Sequence, residues 1–116
     1  MQETFKISML LDFYGKLITA RQYEIIDMHF NEDYSLGEIA ERLKISRQGV
    51  YDNIRKGSMI LNEFEIKLGL IERNNNNQIA YKHIDKEIDD LLNMTYDIKI
   101  IGKLNSIKKD LNNIAE

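Results

Sequence analysis

An all-α fold is predicted by three features of the chain. No proline occurs in its 116 residues. Apolar side chains recur at helical spacing with no alternating strand pattern of useful length, and helix-start signatures precede three of the periodic stretches. Proline removes an amide donor and breaks helix interiors, so its absence suits helices joined by short turns.

The first helix is read from Ile7, Leu10, Leu11 and Tyr14, with Gly15 placed to end it in a left-handed cap. Thr19 and Gln22 then have the spacing at which a hydroxyl and an amide satisfy each other's orphan backbone groups. They open a second helix with Tyr23, Ile26 and Phe30 on one stripe, closed by the polar Asn31-Glu32-Asp33.

Ser35 and Glu38 repeat the capping pattern and start a third helix, whose Ile39, Ala40 and Leu43 share one face. Ala40 is small where two helices must cross closely. Ile45 plugs the corner, and Ser46 caps a fourth helix whose inner face carries Val50 and Ile54. Together these residues spell a helix-turn-helix. Arg47, Gln48, Tyr51, Asp52 and Arg55 point outward from the fourth helix. With Arg42, Lys44, Ser46 and Lys56 around them, Arg47, Gln48, Tyr51 and Arg55 are the candidate nucleic-acid-binding residues. Lys44 stands in the turn where such motifs often carry glycine, so a distorted turn is expected. The plainer reading is two amphipathic helices of a bundle with a solvated basic surface.

The fourth helix is expected to be long, because Leu61, Phe64 and Leu68 continue its spacing up to Gly69. Gly57 interrupts it at about 1 kcal/mol relative to alanine and offers a place to kink. Asn74 to Asn77 form a turn-prone, low-complexity run and are expected to be the hinge between two parts. Beyond it, Ile79, Ala80, Ile84, Ile88, Leu91 and Leu92 mark a fifth helix, and a sixth is expected from about Met94 to Ile114. Its Ile100, Leu104, Ile107, Leu111 and Ile114 alternate by four and three, a short heptad seam. Such a seam serves either a dimer or partner contact, or packing of the helical hairpin onto the long helix. The expected organisation is a helix-turn-helix bundle over residues 1–73 and a C-terminal helical hairpin over residues 78–116.

The chain holds no cysteine, which excludes disulfides and thiolate metal sites and suits a reducing cytoplasm. No apolar run exceeds three residues, so neither a spanning helix nor a signal-peptide core is expected. Net charge is −3, unlike a general nucleic-acid coat. Its distribution matters more. Residues 1–34 carry three basic and six acidic side chains, whereas residues 35–57 carry five basic and three acidic. His29 and His83 lack a second ligand at helical metal spacing, and Asp85, Glu87, Asp89 and Asp90 alternate with Lys82 and Lys86 as a solvated face does. No phosphate loop or nucleophile elbow is present. A protein without enzymatic activity or cofactor is expected.

Residues 11–19 (Leu-Asp-Phe-Tyr-Gly-Lys-Leu-Ile-Thr), 34–40 (Tyr-Ser-Leu-Gly-Glu-Ile-Ala), 45–54 (Ile-Ser-Arg-Gln-Gly-Val-Tyr-Asp-Asn-Ile) and 67–70 (Lys-Leu-Gly-Leu) together resemble the YlxM family of small bacterial proteins. The resemblance covers roughly residues 5 to 71. It implies a helix-turn-helix like that of sigma-factor region four, and an accessory role in the signal recognition particle pathway. The reading helix carries over onto Arg47, Gln48, Tyr51 and Arg55, with Gly49 where alanine is common in the family. The implied partners are the particle's RNA, its GTPase subunit, or both. Two other readings stay open: a sequence-specific DNA-binding regulator, and an adaptor whose helix-turn-helix is only scaffold. The acidic balance and Asp52 on the outer face weigh against the DNA reading.

Overall fold

The computed structural model describes the backbone of residues 2–115 and the side chains of residues 6–115. Among these residues it is all-α: α1 (Gln2–Tyr14), a 3₁₀ turn (Gly15–Leu17), α2 (Ala20–Phe30), α3 (Leu36–Leu43), the long α4 (Arg47–Leu68), α5 (Leu70–Met94) and α6 (Ile98–Ala115). Two compact units divide the chain, Met1–Ile71 and Glu72–Glu116.

In the first unit α2 buries two faces. Ile26 joins Ile7, Leu10, Leu11, Tyr14 and Leu61 in one cluster. Its neighbour Ile25 joins Met28, Ile39 and Val50 in another. The stripe of Tyr23, Ile26 and Phe30 captures only the first of these faces. Adjacent residues on a helix point about 100° apart, so a helix clamped between two layers uses both.

Glycines explain how closely these layers approach. Gly15 does not take a left-handed conformation, since Gly69 is the one glycine with positive φ among the described residues. It begins the 3₁₀ turn instead, and a Cβ there would lie 2.6 Å from Cε2 of the Tyr23 ring. Gly57 does not break α4 either. It is buried against α2, where a Cβ would stand 2.6 Å from Ile26 Cδ1 and 3.3 Å from Gln22 Cβ. The helix accepts the propensity cost because the close crossing of α2 and α4 needs the space.

The expected hinge at Asn74–Asn77 lies inside α5, which starts at Leu70. Tertiary groups start this helix where sequence shows no cap. The Tyr14 hydroxyl donates to Glu65 Oε1 at 2.5 Å and accepts from Leu70 N at 3.1 Å, while Ile71 N donates to the same Glu65 oxygen at 3.1 Å. Two orphan amides of the first turn are thereby satisfied. The Tyr14 phenol is buried, and burial followed by its bond to Glu65 pushes its pKa up.

In the second unit α5 and α6 run antiparallel. Gln78 Nε2 donates to Ala115 O at 3.0 Å, and Lys108 pairs with Asp89 and, at 3.6 Å, with Asp85. The sixth helix begins four residues after Met94, because Asp97 caps it by accepting from Lys99 N at 2.9 Å. The heptad seam is split: Leu111 is buried and Leu104 half-buried, whereas Ile100, Ile107 and Ile114 are exposed.

Candidate nucleic-acid interface

Both caps of the helix-turn-helix form as their spacing requires. Ser35 Oγ accepts from Glu38 N while Glu38 Oε1 accepts from Ser35 N, each at 3.1 Å. Those bonds to Ser35, its backbone amide first, hold the Glu38 carboxyl below the usual glutamate range. Ser46 Oγ accepts from Gly49 N at 2.9 Å at the start of α4. A Cβ on Gly49 would sit 3.1 Å from that oxygen, so glycine at this position leaves the cap uncrowded.

The turn itself is regular. Lys44 takes the left-handed conformation (φ 57°, ψ 44°) that glycine would adopt without strain, and its amide donates to Ala40 O. The expected distortion is absent because lysine accepts that conformation, at roughly 1–2 kcal/mol. Ile45 follows, packed at the edge of the cluster of Ile25, Ile39 and Val50, as its place in the corner requires. Val50 is fully buried and Ala40 packs at the same cluster's edge.

On the outside, Arg47, Tyr51 and Arg55 follow one another at four-residue intervals along α4, all exposed. Arg47, Gln48 and Tyr51 line a shallow cavity of about 330 Å³ with Leu36 of α3 as its apolar wall. Leu36 is the member that sequence reasoning missed. Its signal was a large apolar residue at the first position of α3, three, four and seven residues before Ile39, Ala40 and Leu43 and so on their stripe. Gln48 Nε2 donates to Asp52 Oδ1 at 3.1 Å, so the carboxylate at the outer face holds the glutamine amide. Arg55 lies with Nη1 3.8 Å from Met59 Sδ.

Other sequence candidates fall elsewhere on the motif. Lys44 in the turn and Lys56 on α4 are exposed. Ser46 spends its hydroxyl on the cap. Arg42 is turned to the far side of α3, its guanidinium 4.5 Å from the centre of the Tyr34 ring, and shares a separate depression with Glu38 and Glu41. That arrangement is a cation–π contact in an acidic setting. His29 is structural, its Nδ1 donating to Tyr34 O at 2.8 Å. Among the described residues there is no group of three or more histidines and carboxylates placed to hold a metal ion, and no helix long and apolar enough to cross a membrane.

Comparison with known proteins places this motif. The profile of the UPF0122 family, the YlxM / p13-like helix-turn-helix proteins, matches residues 1–101. The chain belongs to that family. Its relatives are bacterial proteins. A UPF0122 protein of Acetivibrio thermocellus is 58% identical over 73 residues, which span 63% of this chain and 62% of that one. One of Thermoanaerobacter sp. strain X514 is 40% identical over 105 residues, 90% of each chain. A third, of Clostridium kluyveri, is 44% identical over 91 residues, 78% of this chain and 82% of its relative. The YlxM resemblance read from the four segments is therefore confirmed, and so is the all-α helix-turn-helix fold.

Proposed function

We propose that this YlxM-family protein is a non-enzymatic accessory factor of the signal recognition particle pathway that contacts the particle's RNA, its GTPase subunit, or both. The observation that carries the nucleic-acid part is the exposed row of Arg47, Tyr51 and Arg55 beside the Leu36-walled cavity. Guanidinium groups hold phosphates bidentately, and an aromatic ring beside an apolar wall offers a stacking surface for an unpaired base. Lys44 in the turn and Lys56 on α4 add exposed positive charge to the motif. The contact is local, since the chain as a whole is acidic.

A second reading rests on the placement of Arg47, Gln48 and Tyr51 in the first turns of α4. Those are the positions from which a reading helix reaches base edges in a DNA major groove. The two readings separate in one experiment. Binding of the full chain to the particle's RNA, to its GTPase subunit and to random duplex DNA is measured across a salt series. Preference for the RNA, lost in Arg47→Ala/Arg55→Ala with a salt slope flatter by about one unit per phosphate contact removed, supports the proposal. Equal loss on DNA favours the regulator. Binding to the GTPase subunit that the double variant leaves unchanged, with no RNA affinity, assigns the motif a scaffold role.

A further inference from the structure

The C-terminal unit leaves one apolar face uncovered. Its floor is formed by the buried Ile88 on α5 and by the half-buried Leu104 and buried Leu111 on α6. Beside them stand Ile84, Leu91, Ile100, Ile107 and Ile114, exposed from 42% at Ile84 to 65% at Ile114. Helical geometry puts all five on the same side. Ile84 and Leu91 precede the inward-facing residues of α5 in rotation, and Ile100, Ile107 and Ile114 precede those of α6. Because the two helices run antiparallel, as Gln78 with Ala115 and Lys108 with Asp89 require, equal rotations about opposite axes meet on one face.

We propose that this face is covered by a second copy of the chain, so that two hairpins close a four-helix bundle. Charge selects the occupant and its orientation. Over its length α5 carries three basic and five acidic side chains, whereas α6 carries four basic and one acidic. A two-fold axis parallel to the helices lays each acidic α5 over the partner copy's basic α6, with all neighbours antiparallel. The other face-to-face arrangement, with the axis across the helices, stacks α5 on α5 and α6 on α6, like charge on like. A single acidic or basic partner helix would suit one half of the face and be repelled by the other. A second hairpin matches both halves, as an isologous interface must. The spacing of four and three along Ile100, Leu104, Ile107, Leu111 and Ile114 is that of knobs-into-holes packing, the geometry of such bundles.

Sedimentation equilibrium of the full chain over a broad concentration range tests this. The unmodified protein should pass from monomer to dimer. Ile100→Asp with Ile107→Asp should weaken the dimer about a hundredfold or more, because the interface would bury unpaired carboxylates, while helical circular dichroism stays unchanged. Should that pair lower helicity, Ile114→Asp at the exposed helix end gives the same readout. Lys99→Glu with Lys103→Glu makes α6 acidic and should also weaken association. A monomer mass at every concentration, or a dimer as tight in the aspartate variants, overturns the proposal. Tighter association of the glutamate variant overturns the orientation.

Discussion

Among the described residues, ten buried apolar side chains hold the first unit together, whereas Ile88 and Leu111 alone are buried in the second. The difference is one of layering. In residues 1–71, α2 is clamped between α1 on one side and the helix-turn-helix on the other, so each helix has two neighbours to bury against. Residues 72–116 supply only two helices to their own layer, and a two-helix layer shields one row of side chains at best. Stability should therefore reside in the first unit, while the second is suited to gaining stability from a partner.

The comparison breaks first at Ile39, fully buried where α3 meets α2 and α4. Ile39→Ala should cost about 2–5 kcal/mol, because the surrounding helices cannot collapse into the space. Leu111→Ala, at the edge of a two-helix layer, should cost less and leave the first unit's melting transition in place. Thermal unfolding followed by circular dichroism on both variants checks this. Equal losses would mean that the hairpin is as tightly held as the helix-turn-helix.

Tyr14→Phe should cost roughly 1–3 kcal/mol, since it strips the hydroxyl that Leu70 N donates to and that itself bonds Glu65. Loss of amide exchange protection should concentrate at the start of α5. Protection lost instead across α1 would show that the ring, which stacks 6.0 Å from Phe64, matters more than its hydroxyl.

These two sites also mark where sequence was informative. The caps at Thr19, Ser35 and Ser46, the inner face of α3 and α4 and the stop at Gly69 were legible because each is a local pattern whose partner lies within four residues. The start of α5 was not. Its first donor is satisfied by Tyr14, 56 positions away from Leu70, and its second by the Glu65 carboxylate that Tyr14 also bonds, and the four asparagines then read as a turn on propensity alone. Tertiary support overrides a weak propensity penalty. The same limit applies to Gly15 and Gly57, whose reason is a neighbour's side chain. On the outer face Arg47, Gln48 and Tyr51 could be placed by periodicity, but Leu36 entered only with the crossing of α3 over α4.

A smaller effect is expected at Lys44, left-handed at φ 57°. Lys44→Gly should stabilise the first unit by up to about 1 kcal/mol, the relieved strain being partly offset by the added freedom of the unfolded chain. The same exchange removes an exposed cation just ahead of α4. A higher melting temperature with a flatter salt dependence of RNA binding would show that lysine is kept there for contact at the expense of stability. A lower melting temperature would mean that the lysine side chain stabilises the turn by more than its backbone strain costs.

The smallest expected effect separates the units by pH. In the first, the Ser35 amide and hydroxyl lower the Glu38 pKa, so this carboxylate stabilises the folded state above the ordinary glutamate range and loses that contribution as pH falls through its lowered value. In the second, the bond to Asp89, opposed by burial and aided by the charge of Asp85, raises the Lys108 pKa. Its contribution is complete below the ordinary lysine value and disappears as pH rises through the raised one. Both groups face solvent, so each effect should be modest and weakened by salt. Amide chemical shifts followed by NMR should therefore show an acid-side change at the start of α3 that Glu38→Gln abolishes. An alkaline-side change between α5 and α6 should be abolished by Lys108→Met. If α3 shifts stay flat through the glutamate titration, the capping box contributes through its serine hydroxyl alone, and the first unit's margin over the second rests on its buried layers.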